Sequence, residues 1–382
     1  MSNQNPLIRA FKALQLIQFW LGISNLLKVR RYRLLYVFYV VFCFTTNLLL
    51  FSFCLANILS ETNKKSLVSQ IMDFLTLCSV EAAILPFYYQ SAMCNIYSNQ
   101  RNVFEIVNLI DSEFYTQLKE VFDYRLLKRI VNKSVSFSIV MVVSMETIAL
   151  ICNVHEHFLS RIHRVISLFT IVIGNTVFVI LIRELLRRIN RMNKLSANLY
   201  HNSGNKVKMK KLQQIVNIQT TQRKIIYISI VHTYCYMAIS HLNDAFRYSH
   251  VATMAHYFYI LTTYSFYIIY SFSVEVMREK IYFELVMILI IVIYISYVMY
   301  ICEEIKQESN LMSRNIHITN YNKTLPLGNK EIGLYLELVS QQLLHQQLNL
   351  HANSFFNIDL KFLNLMVGAV TTYLVILLQF NA

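Results

Sequence analysis

Four carboxylates stand within or beside long apolar runs of this chain: Asp73, Glu81, Glu146 and Glu284. A charge in hydrocarbon is costly, and such residues face a bundle interior, pair with another helix, or mark a ligand or ion path. Glu146 is the foremost binding candidate on these grounds, with a structural contact to a neighbouring helix as the other reading. Asp73 and Glu81, eight residues apart on one helix, raise the same question. Other reactive groups offer less. In "NVHEHF", His155 and His157 are two apart and point to different faces of a helix, so they are not expected to hold a metal. The seven cysteines show no CxxC or Cys/His spacing and read as buried, reduced thiols. No catalytic set, metal or cofactor is expected, and the chain is not read as an enzyme.

The most informative polar spacing lies near the C-terminus, in "VTTYLVILLQFNA". Stepping back from Gln379 by helical intervals reaches Val375, Thr372, Gly368 and then Leu365 or Asn364, a stripe that is small or mildly polar. Two readings stand. In a symmetric bundle the stripe lines a water-filled path, with a ring of amide or apolar side chains closing it by dewetting. In the other, Gln379 reaches the membrane interface and Thr372 bonds back to its own helix.

These residues are positioned by membrane-spanning helices. The 382 residues have a mean hydropathy of +0.43 and are 55% hydrophobic, with only 15% charged and the charges gathered between apolar runs. Runs near twenty apolar residues, enough to cross about 30 Å of hydrocarbon, occur at 34–59, 67–89, 131–153, 163–182, 251–274, 282–302 and 360–380. The expected fold is all-α, a polytopic membrane protein with seven transmembrane helices. The apolar stretch 225–240 is expected to be a cytosolic extension of the fifth span rather than a span of its own. Few Gly (6) and Pro (3) favour unbroken helices. The N-terminal residues do not resemble a cleavable signal peptide.

Charge orients the array. With the N-terminus in the cytosol, segments 1–33, 94–130, 183–248 and 303–357 hold 27 Lys and Arg, against 5 in the three external connections. The C-terminus is then extracellular. The net charge of +14 becomes a positive-inside signal with attraction to anionic lipid, and no nucleic-acid partner is expected. The expected organisation is a cytosolic N-terminal segment (1–33), a six-helix ligand-binding bundle (34–302) with cytosolic helical extensions (94–130, 183–248), a cytosolic anchor (303–357) and a pore-lining last helix (358–382). External loops are too short to catch a ligand, so any ligand must be small and enter among the helices.

The ending "TTYLVILLQF" resembles the Thr-Tyr, five apolar residues, Gln-Phe signature of insect gustatory receptors. The preceding "EIGLYLELVSQQLLHQQLNLHANSFFNIDLKFLNLMVGAV" is similar to that family in layout: a cytosolic half-helix, a short Phe/Asn-rich turn, then a helix with a Gly. The resemblance implies a ligand-gated cation channel in the plasma membrane of sensory neurons, assembled as a homotetramer or as a heterotetramer with related receptors. It implies Gln379 and Phe380 as pore gate, Thr372, Val375 and Gly368 as pore lining, and Tyr373 as support. It also implies a tastant pocket in the outer half of the bundle, for which Glu146, Asn153, Phe169, Tyr267, Tyr270, Tyr282, Glu284 and Met287 are candidates. Tyr267 and Tyr270, three apart, form an aromatic wall or simply pack. A small hydrophobic or bitter plant compound suits the modest external polarity better than a sugar. A seven-helix G-protein-coupled receptor needs the opposite orientation and its DRY and NPxxY patterns, and neither fits. A transporter is disfavoured because no internal repeat or broken helix pair is visible.

Overall fold

The computed structural model describes residues 6–23, 33–60, 67–92, 95–119, 121–151, 158–204, 211–274, 278–321 and 330–381. Asn153, His155 and His157 lie outside them. Two short helices, α1 (Pro6–Ala10) and α2 (Lys12–Trp20), precede α3 (Arg33–Ser60), α4 (Leu67–Ala92), α5 (Asn95–Leu118) and α6 (Tyr124–Ile151). Then come α7 (Phe158–Gly204), α8 (Lys211–Ala245), α9 (Arg247–Val274), α10 (Arg278–Tyr321) and α11 (Lys330–His345). A hairpin of β1 (His351–Ala352) and β2 (Phe356–Asn357) leads into α12 (Leu360–Asn381). Such a composition favours helices because each satisfies its backbone polar groups internally, as hydrocarbon requires.

Helix α7 runs through the middle of the molecule. It packs against α2, α3, α4, α6, α8 and α10. Its residues 171–182 are almost all buried, including Ile173, Val177, Phe178 and Ile182. One contact is unusually close: a Cβ placed on Gly174 would lie 2.5 Å from Phe87 Cε1, so only glycine lets α4 and α7 approach this far. The outer helices carry exposed apolar belts instead, with Phe38, Phe42 and Leu49 on α3 and Phe137, Val140 and Val143 on α6.

Among the described residues, seven helices are long and apolar enough to cross a membrane: 36–60, 70–92, 124–151, 158–197, 222–245, 281–317 and 360–379. Six overlap the expected spans. The fifth falls on α8 rather than on 251–274 in α9. The packing separates the two. Helix α9 lies along α4, one of the apolar spans, whereas α8 lies along α5, which carries Arg101, Glu105, Asp111 and Glu113. The inward face of α9 is polar: Ser249, His250, Thr253, His256 and Thr263 are all buried inside the bundle. The helical bonding passes through Phe246, which donates to Leu242 O and accepts from His250 N–H, both at 3.0 Å, so α8 feeds directly into α9.

Candidate functional site

Helix α12 touches the rest of the molecule along a narrow seam. Met366 is buried and Phe362, Leu363 and Val370 are partly so, packed mainly against α9 and α10. Tyr373 meets Phe258 of α9 edge-on, with ring centroids 5.7 Å apart, yet stays 53% exposed. The stripe of Leu365, Gly368, Thr372, Val375 and Gln379 is exposed along its whole length. Gly368 has no neighbour within 4 Å of where a Cβ would stand. The hydroxyl of Thr372 donates to Gly368 O at 3.0 Å and that of Thr371 to Val367 O at 2.9 Å, so both are satisfied within the helix. Back-bonding of Thr372 and exposure of the stripe therefore occur together, and the two readings of the sequence are compatible. Phe380 is helical, adjacent to Gln379.

The approach to α12 is tightly built. Asn353 (φ 49°) and Ser354 (φ 61°) form the hairpin turn in the left-handed region, which Asn tolerates better than most residues. Phe356 of β2 stacks on Phe362 of α12, with ring centroids 3.9 Å apart. Asp359 Oδ1 caps α12 by accepting from Phe362 N–H at 3.0 Å, and Lys306 of α10 lies 3.5 Å from Asp359 Oδ2. From α8, Gln342 of α11 is met by a polar cluster: its Nε2 donates to Ser229 O at 3.1 Å and to Thr233 Oγ1 at 2.7 Å. Arg247 Nε donates to Asn353 Oδ1 at the turn.

The carboxylates of the apolar helices have partners. Arg164 of α7 holds Glu146 of α6 with a two-pronged contact, Nε to Oε1 at 2.9 Å and Nη2 to Oε2 at 3.1 Å. One residue earlier on α7, His163 Nε2 lies 2.6 Å from Glu81 Oε1 of α4, and Asn47 of α3 donates to the same carboxylate at 3.0 and 3.2 Å. Asp73 accepts from the Tyr267 hydroxyl at 2.9 Å, tying α4 to α9. Thus Asp73 and Glu81 serve different contacts. Tyr270 stacks on Phe266 rather than on Tyr267, with centroids 6.0 Å apart.

A small apolar cluster stands apart from the main core. Met145 and Ala149 of α6 meet Phe283 and Met287 of α10, with Met141, Ile148, Leu168, Tyr264 and Ile290 around them. Met287 is thus placed among residues of four helices. Glu284 is buried beside Phe283, Tyr282 faces outward at 65% exposure, and Phe169 packs on the main core.

The model of the 7tm chemosensory receptors matches residues 5–381 of this sequence. The chain belongs to that family. A Drosophila melanogaster protein provisionally described as gustatory receptor 2a is 50% identical over 50 residues, an alignment that spans 13% of this chain and 12% of that relative. The insect olfactory receptor OR5 from Machilis hrabei, solved in complex with eugenol, superposes with a TM-score of 0.62 at 11% identity, covering 98% of each chain. That likeness extends to the whole seven-helix fold.

Within the receptor, the sequence-derived candidates separate into groups. Gly368, Thr372, Val375 and Gln379 share one open face, as their spacing requires. Of the pocket candidates, Glu146 meets Arg164, Tyr267 meets Asp73, Phe169 packs on the main core and Met287 sits in the smaller cluster. Reasoning from the sequence missed Arg164 and His163, although two bases at the start of an apolar run are a signal that carboxylates elsewhere await partners. It also missed Met145, Phe283 and Tyr264, which look like ordinary apolar residues until four helices are placed together.

Proposed function

We propose that this receptor is a gustatory receptor acting as a ligand-gated non-selective cation channel, with α12 from four subunits around a central pore. The single observation that carries the reading is α12 itself. It is the least covered of the apolar spans, and Gly368, Thr372, Val375 and Gln379 form one exposed stripe along it that begins at Leu365, while Val367, Tyr373 and Ile376 are exposed on its other faces. A heterologous ring of subunits covers the helix flanks and turns that face to a shared axis. Gln379 and Phe380 form the outer constriction, with Val375, Thr372 and Gly368 below. Tyr373 braces α12 on α9.

In this layout α9 is the fifth span, α8 lies at the level of α5 in the cytosol, and α7 and α10 extend beyond the membrane, being about 70 and 66 Å long. The cytosolic N-terminus and external C-terminus follow from the distribution of Lys and Arg.

The ligand is a small tastant, and the detached cluster of Met145, Phe283, Met287 and Tyr264 is its best-supported seat. Flexible thioethers repack around differing guests, and the cluster lacks the dense hydrogen-bonding groups that a sugar wants. A bitter or plant-derived apolar compound fits it better. The receptor of the same fold that was solved with eugenol, a small phenol, is consistent with such a guest.

Whole-cell current in cells expressing this chain alone, tested against plant alkaloids, phenols and sugars, examines the reading. A ligand-evoked cation current is expected, with Met287→Ala shifting its dose–response. Current that appears only on co-expression with a related receptor identifies an obligatory partner subunit. A response that requires G proteins and carries no direct current contradicts the channel.

A further inference from the structure

Helix α6 is two-sided along its length. Leu127, Val131, Val135, Ser138, Val142 and Met145 recur at steps of three and four and are buried, where α6 packs on α1, α2, α7 and α10. The opposite face, followed from Arg125 by the same steps, reads Arg129, Lys133, Phe137, Val140, Val143 and Thr147. Every residue of that second stripe is exposed.

The stripe changes character part-way. Its first part is basic: Arg125, Arg129 and Lys133 stand four residues apart, with Lys128 beside them, and none of the four side chains makes an ion pair or hydrogen bond among the described residues. Like charges at this spacing repel one another, so an anion laid across them is favoured. No acid lies between Arg125 and Lys133, and Asp123 just before them is committed to the first turn of α6, accepting from Arg125 N–H at 2.9 Å and Leu126 N–H at 3.2 Å. The second part is apolar: Ile139, Val140, Val143 and Ile148 line a shallow groove of about 410 Å³. The two hydroxyls in that groove are satisfied within the helix, Ser144 donating to Met141 O and Thr147 to Val143 O, both at 2.8 Å. One stripe therefore calls for negative charge at its start and hydrocarbon beyond it.

The lengths agree with one molecule. The apolar run of α6 starts at Val131, which puts Arg125 and Arg129 at headgroup depth and Lys133 within the first turn of the membrane, from where its long side chain reaches back to the interface. From Lys133 to Val143 is ten residues, about 15 Å of helix, which is half of the roughly 30 Å hydrocarbon core and so the depth of one leaflet. We propose that this stripe binds an anionic phospholipid, its phosphate and headgroup on Arg125, Arg129 and Lys133 and one acyl chain along Phe137 and Val140 into the groove at Val143. The proposal rests on the membrane layout given above, which makes the leaflet the cytosolic one. A neighbouring subunit is the other possible cover for this face, and it would need acids of its own opposite the three bases.

The chain has a single Trp, Trp20, so a reporter is placed by Val140→Trp in a Trp20→Phe background. Full-length receptor is reconstituted in nanodiscs that mix phosphatidylcholine with phosphatidylserine, one of the two carrying brominated acyl chains, and quenching of the reporter gives the preference for the anionic lipid. A clear preference is expected at Val140→Trp, falling about fivefold for each of Arg125→Gln, Arg129→Gln and Lys133→Gln. Leu150→Trp, at the far end of the same helix, is expected to show no preference. Equal preference at both reporters, or a preference at Val140→Trp that survives the triple Gln variant, overturns the site. A Val140→Trp reporter that neither brominated lipid quenches also overturns it and shows the face to be covered by another subunit. Bromine sits on the chains, so a soluble phosphate compound cannot imitate the signal. Nanodiscs expose both leaflets, and failure here counts against the site rather than the orientation. Labelling of Lys128→Cys by an impermeant maleimide is expected only in permeabilised cells; labelling in intact cells overturns the cytosolic leaflet and leaves the stripe itself standing.

Discussion

Asn243, at the end of α8, grips the chain leading to α12: its Nδ2 donates to Asn349 O at 3.0 Å, while its Oδ1 accepts from His351 N–H at 3.2 Å. One buried amide thus satisfies two backbone groups of a segment more than a hundred residues later. Arg247, at the start of α9, makes a second tie to the same hairpin at Asn353.

Asn243→Ala leaves a backbone N–H and a C=O without partners, a loss of about 1–3 kcal/mol. The expected result is a receptor that reaches the surface with a lower thermal midpoint and needs more ligand for half-maximal current. Asn243→Asp keeps the acceptor and is expected to fall between. Dose–response curves that coincide for all three proteins contradict the coupling.

Arg188 is fully buried and pairs with both Asp111 and Glu184. Removing it takes the forked guanidinium from Asp111 and one of two arginines from Glu184, and breaking such a buried cluster costs about 3–5 kcal/mol. Arg188→Met is expected to abolish surface expression. Arg188→Lys is not expected to restore it, because an ammonium cannot make the forked contact to Asp111 or stack on Phe122 in the same way. Surface biotinylation of the two variants checks this.

Gly174 faces Phe87 so closely that a methyl group there meets Cε1 at 2.5 Å and Cζ at 2.7 Å. Gly174→Ala is expected to destabilise the receptor by about 1–3 kcal/mol through overpacking. Phe87→Leu in the same chain relieves the clash and recovers part of the loss in a thermal-shift measurement. Gly174→Ala with an unchanged midpoint contradicts the close approach.

Glu146 is ion-paired with Arg164 across α6 and α7. Glu146→Gln and Arg164→Gln each leave one charge without its partner, whereas the double variant removes both. The double variant is expected to be more stable than the sum of the single effects predicts, with a coupling of about 0.5–3 kcal/mol. Ligand potency at the double variant stays near that of the wild type. A large loss of potency with stability preserved returns Glu146 to the binding site.

Six of the seven expected spans and the α12 stripe were legible in the sequence because run length and helical spacing are properties of one chain segment. Gly368, Thr372, Val375 and Gln379 share a face wherever that helix is placed. The fifth expected span, 251–274, is where the two differ: the apolar stretch long enough to cross a membrane falls on α8, at 222–245. The partners of Glu81 and Glu146 were not legible. His163 and Arg164 are neighbours in sequence but serve carboxylates on two different helices, and that depends on packing. The cluster around Met287 was hidden for the same reason: four helices supply residues that are individually unremarkable in a chain with 14 Met and 25 Phe.

Basal current through Gln379→Ala, recorded without ligand beside the wild type at matched surface expression, tests the central claim most directly. If α12 lines the pore and Gln379 closes its outer end, the variant leaks cations at rest while the wild type stays closed. Closure and ion permeation identical to the wild type, in Gln379→Ala and in Gln379→Ala with Phe380→Ala, contradict the gate.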